Sequence, residues 1–146
     1  MNEGVEMAER ELRFDARLLE LRQEDGWEQK NGAWWMASET LDPRAMSRFM
    51  LDKNARFITV TAIECEDNET RLDFHWDMKG VILTFSTRTH GNKFVSISNL
   101  CPAADWVERE TYEYFAVEFT GRDNNKPLML RPGLEAGLNR RQDGKV

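Results

Sequence analysis

The feature that most constrains the fold is a two-residue alternation in the middle of the chain. Apolar side chains occupy every second position from Leu72 to Met78, and charged side chains or histidine occupy the positions between them. A period of two is typical of a strand with one buried and one solvated face, and it does not fit a helix. Strands of this kind are common in antiparallel sheets. We therefore predict a sheet with one face on the core.

Other segments with β-branched or alternating residues lie close to this strand. The predicted strands cover residues 56–64, 71–78, 81–88 and 94–98. In the first of them, Ile58, Val60 and Ala62 alternate with threonines, and we expect them to share one face. The turns between these strands are only a few residues long. They favour an antiparallel meander, because parallel neighbours need a long crossover.

Helical periodicity dominates the chain before the meander. Residues 5–21 carry apolar side chains every three or four positions, which predicts an amphipathic helix. The apolar run 33–37 predicts a strand. Asp42 and Pro43 suit the N-cap and first position of a second helix that ends near Asn54. Helix, strand, helix, meander and a last helix give an α+β fold, with helices on one face of a mostly antiparallel sheet.

Length, composition and net charge restrict the class of protein. With 146 residues and 40% hydrophobic content, the chain suits a single domain, which we place at 1–121 with an irregular C-terminal tail at 122–146. A net charge of −6 argues against nucleic-acid binding. The apolar runs are too short to span a bilayer, and the first residues lack the pattern of a secretion signal. Cys65 and Cys101 stand alone, so we expect reduced thiols and no metal cluster held by this chain.

The segment 106–115 has the most unusual composition, because four aromatic and four charged residues share about three helical turns. We predict a helix that starts either with Pro102 in its first turn or with Asp105 as N-cap and Glu108 as capping-box partner. Such a mixture suits a half-packed surface that contacts a partner, since Trp, Tyr and Arg concentrate at protein interfaces.

The same segment carries a family resemblance. The run from Pro102 to Glu110, the residues 112–115, and Val117, Phe119 and Gly121 resemble the thirty-kilodalton subunit of respiratory complex I. This family includes the small subunits of energy-converting nickel–iron hydrogenases and of formate hydrogenlyase. The likeness extends back to about residue 39, and the later basic and apolar residues at 126 and 128 keep the family's spacing.

Three positions depart from the family pattern. Ala116 stands where the family usually has glycine, so a positive φ there would cost about 1 kcal/mol. Arg122 and Asp123 replace a His-Pro pair, and Tyr114 replaces an aliphatic residue or methionine. These departures leave the branch open, and the missing His-Pro together with the short chain favours a hydrogenase-type member.

The resemblance implies a non-catalytic peripheral subunit of a membrane-associated oxidoreductase complex. It would bind no cofactor, whereas nickel–iron, iron–sulfur or flavin centres would belong to its partners. Those partners would be the large subunit, which is catalytic or carries the quinone site, and a neighbouring iron–sulfur subunit. The implied location is the cytoplasmic face of the inner membrane. The candidate interface residues are Trp106, Glu108, Arg109, Glu110, Glu113, Phe115, Phe119 and Arg122.

Alternatives remain for the same residues. Glu108, Arg109 and Glu110 could instead tie the helix to its own sheet. Glu110 and Glu113 with His75 could form the acid–base site of a small hydrolase, although no nucleophile or metal triad accompanies them. A plain adaptor of unrelated ancestry is a third hypothesis. Trp34 and Trp35 are interpreted as core and rim packing. Arg140 and Arg141 are interpreted as part of a solvated tail.

Overall fold

The computed structural model describes residues 27–122 and 126–140, so the helix predicted over 5–21 lies outside the described residues. Within those two ranges, two helices and seven strands form the fold. They are β1 (Trp27–Lys30), β2 (Ala33–Ala37), α1 (Pro43–Asp52), β3 (Arg56–Glu64), β4 (Thr70–Met78), β5 (Val81–Arg88), β6 (Lys93–Val95), a 3-10 turn (Pro102–Ala104), α2 (Asp105–Phe115) and β7 (Glu118–Thr120). The predicted α+β class is confirmed.

The main sheet has five strands in the order β1-β2-β5-β4-β3. The strands β3, β4 and β5 form the predicted antiparallel meander. The pair β2–β5 is parallel, because the chain crosses from β2 through α1 before it enters the meander. The strand β1 was not predicted; it forms a hairpin with β2 and completes one edge of the sheet.

One face of the sheet carries the core. Phe74, Trp76 and Leu83 are almost fully buried there, and Met46 and Met50 of α1 belong to the same cluster. The predicted start of α1 is confirmed, since the Asp42 carboxylate accepts hydrogen bonds from the N–H groups of residues 44 and 45. Burial of one sheet face against a helix stripe is what the two sequence periods require.

A bulge in β3 overturns one predicted face. The register between β3 and β4 shifts between Phe57 and Thr59, so two residues oppose one at this point. Phe57 is therefore buried, with its ring against Trp76, while Ile58 is 38% exposed. Val60 and Ala62 keep the predicted inward direction. The alternation alone could not locate the extra residue.

The other sheet face is polar but well packed. Trp34 packs on the core, whereas the Trp35 ring contacts His75 on the opposite face with ring centroids 5.9 Å apart. His75 lies on the predicted polar face but is half-buried, with its ring nitrogens 2.9 and 2.8 Å from the hydroxyls of Thr61 and Thr84. Burial lowers the pKa of His75, although the Asp73 carboxylate acts in the opposite direction.

The end of the meander also differs from the prediction. Instead of a long antiparallel strand at 94–98, the short β6 pairs in parallel with β7 in a separate two-stranded sheet. The ring of Phe94 packs on Phe74 and joins this sheet to the core. α2 lies against β3 and β7, and this position brings its N-terminal half next to Ser96 and Ile97.

Candidate docking site

α2 begins with the proline-led turn rather than with a capping box. The 3-10 turn that starts at Pro102 runs directly into α2, and no side chain caps the first turn. The Asp105 carboxylate bonds to Arg109 and Arg122, and Glu108 turns into the fold. The helix ends at Ala116, whose φ of 57° and ψ of 27° are left-handed, so alanine takes the strained position where the family has glycine.

Glu108 is a structural carboxylate. Its side chain is 1% exposed and accepts hydrogen bonds from the Ser96 hydroxyl at 2.5 Å and the Ile97 N–H at 2.8 Å. The Arg122 guanidinium lies 2.7 Å from it and also binds Asp105. Burial raises the pKa of Glu108, and these three partners oppose that rise. Arg122, which with Asp123 stands where the resemblance expects His-Pro, therefore neutralises a buried charge within this chain.

The segment 126–140, which we call the strap, runs along α2 without helix or strand. Arg109 holds its beginning: Nε and Nη2 donate to the carbonyl oxygens of Lys126 and Pro127, both at 3.0 Å. A guanidinium that binds two successive carbonyls fixes the direction of the backbone as well as its position. Arg109 thus contacts its own chain.

Glu113 holds the middle of the strap. Its carboxylate accepts the N–H groups of Leu128 at 2.7 Å, Met129 at 3.0 Å and Leu130 at 3.1 Å. Desolvation raises the pKa of Glu113, but the three N–H groups and the charge of Arg109 outweigh it, so the pKa lies below its ordinary value. Glu113 is 3% exposed, so it lies on the covered side of α2, whereas residues 106 and 110 are exposed.

The end of the strap caps the C-terminus of α2. The last carbonyl groups of a helix have no partners inside the helix. Here the Glu113 carbonyl accepts the N–H groups of Gly137 and Leu138, and the Tyr114 carbonyl accepts the N–H of Asn139. The Phe115 carbonyl accepts from the side chains of residues 92 and 140. The strap is therefore built into the fold from Arg109 to the C-terminus of α2.

Arg140 overturns the interpretation of this residue as part of a solvated tail. Its side chain is 10% exposed, and its guanidinium donates to the Thr70 hydroxyl at 2.8 Å and to the Glu69 carbonyl at 3.3 Å. Glu64 lies 3.8 Å away. The neighbouring Arg141 lies outside the described residues.

The strap has an inverted arrangement of polar and apolar groups. Its inner contacts include hydrogen bonds to Arg109, Glu113 and the end of α2, and Leu128 and Leu130 are half-buried. Large apolar side chains face outward instead: Met129 is 55%, Leu134 43% and Leu138 51% exposed. Segments that pack on their own protein usually turn such side chains inward. An ordered strip of exposed apolar groups is typical of a surface that another molecule covers.

The remaining candidate residues fall into two groups. Phe119 is buried and Phe115 packs partly on the core, so both contribute to the fold. Trp106 is 70% exposed, and Glu110, one turn further along α2, is also exposed. Tyr112 is 47% exposed and, together with Leu134 of the strap, lines a cavity of about 750 Å³ between α2, β7 and the strap.

The hydrolase hypothesis has no assembled site in the described residues. His75 lies on the sheet face opposite the core, whereas α2 lies against the core side. The Glu113 carboxylate is occupied by strap N–H groups. Within residues 27–122 and 126–140, no three His, Cys, Asp or Glu side chains converge as a metal site. In the same part of the chain, no helix is long and apolar enough to cross a bilayer.

Comparison with known proteins agrees with this architecture. Residues 35–143 match the family described as respiratory-chain NADH dehydrogenase, 30 Kd subunit. The chain belongs to this family. The resemblance traced back to about residue 39 in the sequence is thereby confirmed and extended slightly.

The curated relatives are distant. The chain is 28% identical to the C subunit of NADH-quinone oxidoreductase from Rhodopseudomonas palustris, over 58% of this chain and 46% of that protein. It is 27% identical to the corresponding C subunit of Jannaschia sp. over 80% of this chain and 62% of that protein. With the second C/D subunit of Aquifex aeolicus, 22% identity covers 92% of this chain and 23% of that protein. The chain thus spans less than two thirds of each of these relatives.

A solved structure shows the same fold. The trypsin-resistant fragment of Nqo5 superposes with a TM-score of 0.61, over 80% of this chain and 99% of that one, at 15% identity. At this identity the likeness supports the fold alone.

Most of the residues that hold the strap were predictable as candidate residues, but their contacts with the strap were not. Glu113, Arg109 and the spacing to residue 126 were visible as a family pattern, whereas the strap was interpreted as a loose tail. Asn92 and Arg140, which cap the end of α2, were not recognised. Asn92 follows a turn glycine and Arg140 lies in a polar segment, so neither stands out without the contacts that the fold creates.

Proposed function

We propose that this chain is a non-catalytic peripheral subunit of a membrane-associated NADH:quinone oxidoreductase-type complex, where it docks on the large subunit. The observation that carries the proposal is the inverted strap. Its backbone is fastened by Arg109 and Glu113, and its apolar side chains face outward along α2. Family membership supports the class of complex, because the relatives are named as subunits of NADH-quinone oxidoreductase.

The name of one relative supports the choice of partner. In Aquifex aeolicus the matching segment belongs to a protein named as a C/D subunit. A protein that carries the names of two subunits implies that the two parts function together. By analogy we propose that the partner of this chain is a separate large subunit of the D type. In this proposal the chain is peripheral on the cytoplasmic face of the inner membrane, where the complex holds it.

In this proposal some candidate residues contact the partner, and others position the segments that contact it. Trp106 and Glu110 would touch the partner directly. Glu108, Arg109 and Glu113 would act by positioning the helix and the strap, since their polar atoms are bonded within the chain. Arg109→Ala should therefore weaken assembly by releasing the beginning of the strap.

The test is purification of the tagged chain from native membranes, followed by identification of the bound subunits. We expect a large subunit and subunits that carry flavin or iron–sulfur centres. Nickel in the purified complex would assign the energy-converting hydrogenase branch, and flavin without nickel the complex I branch. Isolation without a large redox subunit would overturn the proposal.

A matched pair of variants tests the docking surface. Leu134→Asp changes a strap residue that is 43% exposed, and Ile63→Asp changes a β3 residue that is 40% exposed. Both should leave the isolated chain folded. We expect Leu134→Asp to reduce recovery of the complex at least tenfold, because an unpaired charge would be buried at the contact, and Ile63→Asp to leave it unchanged. Equal recovery of both variants would contradict docking through the strap.

A further inference from the structure

Trp106 differs from every other tryptophan of the chain. All five tryptophans lie in the described residues, and the other four are buried or half-buried. Trp106 is 70% exposed. The residues that precede it on the same side of the helix, Pro102 and Ala103, are small and exposed, so they leave the indole accessible. An exposed indole on an ordered helix is a large apolar and electron-rich surface with no cover from the described residues.

Glu110 is the neighbour of this indole. Residues four apart on a helix lie side by side, so the carboxylate of Glu110 is within reach of anything placed on Trp106. Glu110 is exposed, and it makes no hydrogen bond or ion pair with residues 27–122 or 126–140. Asp105 at the start of α2 and the buried Glu113 are already paired with arginine or backbone N–H groups. Among the described residues, Glu110 is thus a charge without a partner next to a ring without cover.

Trp35 is a tryptophan of this chain whose ring is already next to a cation. Lys30 places its ammonium 4.6 Å from the centre of the Trp35 ring, so this indole carries a cation from its own chain. In the described residues no cation lies over Trp106. A ring face attracts a cation through its quadrupole, and an adjacent carboxylate adds a direct ion pair. Trp106 with Glu110 therefore offers both attractions to a cation from outside.

We propose that Trp106 and Glu110 form a receptor for one cationic side chain, arginine or lysine, of the partner subunit. The cation stacks on the indole while it pairs with Glu110. This inference rests on the proposed function and adds the chemistry of the partner group. The net charge of −6 favours it, since an acidic chain attracts a partner with a basic contact surface.

The experiment measures retention of the tagged chain on its native membrane complex as sodium chloride is raised. The variants are Glu110→Gln, Glu110→Lys and Trp106→Leu. The control is Glu66→Lys, which makes the same charge change in the exposed turn before β4. We expect Glu110→Lys to weaken retention about tenfold or more and Trp106→Leu several-fold. Glu110→Gln should also make retention less sensitive to salt, because one ion pair is lost.

The possible outcomes separate this inference from the proposed function. Loss of retention in Trp106→Leu with normal retention in Glu110→Lys would show a purely apolar contact and overturn the cation receptor alone. Equal losses in Glu110→Lys and Glu66→Lys would show a general charge effect and overturn it as well. Failure of the unaltered chain to bind any redox complex would overturn the proposed function.

Discussion

The central sheet and the strap are held by opposite arrangements of the same kinds of group. In the sheet, Phe74, Trp76 and Leu83 are buried together and polar side chains occupy the other face. Along the strap, charged groups and backbone hydrogen bonds lie inside, and Met129, Leu134 and Leu138 face outward. Burial of apolar area is non-directional and strong in sum, whereas hydrogen bonds position a segment with a small net free energy. We therefore expect the sheet to carry stability and the strap to carry recognition.

The largest expected effect tests the sheet side of this comparison. Phe74 is fully buried at the centre of β4. Phe74→Ala should lower the free energy of unfolding by about 3–5 kcal/mol, because it removes transfer free energy and leaves a cavity. Urea unfolding measures the change, and Phe74→Leu, which keeps most of the volume, serves as control. If Phe74→Ala cost no more than a strap variant, the assignment of stability to the sheet would be wrong.

Glu113→Gln tests the strap side. The substitution keeps the shape but removes the charge that accepts three N–H groups, and we expect a loss of about 1–3 kcal/mol. The loss should be local: amide exchange of residues 128–130 should accelerate while that of β4 stays slow. Glu110→Gln on the exposed side of the same helix is the control. Faster exchange throughout the sheet would show that strap and core unfold together.

Acid should release the strap by protonating the Glu113 carboxylate. The pKa of Glu113 is lowered in the fold, so its stabilising contribution is complete above the unfolded glutamate pKa of about 4.3. It is lost as pH falls through the lower folded value. The amide shifts of Leu128, Met129 and Leu130 should titrate together below about pH 4.3, and this shared titration should vanish in Glu113→Gln. Shifts that persist in the variant would point to another group.

The smallest effect concerns the end of α2, where helix and strap meet. Ala116 adopts a left-handed conformation that glycine takes without a steric cost. Ala116→Gly should stabilise the chain by about 0.5–1 kcal/mol, since the relief of strain exceeds the added chain entropy. Thermal unfolding detects such a change as a rise of a few degrees in Tm. Ala103→Gly, in the turn before α2, should be neutral or destabilising, and a similar gain there would contradict the strain argument.

Much of the fold was predictable because local periods report burial. The alternation of β4, the proline-led start of α1 and the glycine-led turns are short-range signals, and each predicted its element correctly. Three features were missed for long-range reasons: the bulge at Ile58, the parallel pairing of β6 and β7, and the edge strand β1. Pairing partners and register depend on contacts that no local window contains.

The candidate site was predicted as a set of residues but not as an arrangement. The family resemblance selected Glu108, Arg109 and Glu113, and the structure places all three in bonds with their own chain. Their function in a partner contact stays a prediction. The proposed boundary at residue 121 also stays a prediction, although the strap beyond it packs closely on α2.

The sequence by itself determined the class of fold, the family and the helix that carries the charged and aromatic residues, because composition and periodicity are properties of neighbouring residues. Only the tertiary structure decided which charges of that helix are satisfied internally and which remain available. Glu113 and Glu110 are the same residue type three positions apart, yet one is bonded to strap N–H groups and the other is exposed. The difference arises because a strap fifteen or more residues later in the chain passes over one side of the helix, whereas none of the described residues covers Glu110 on the other side.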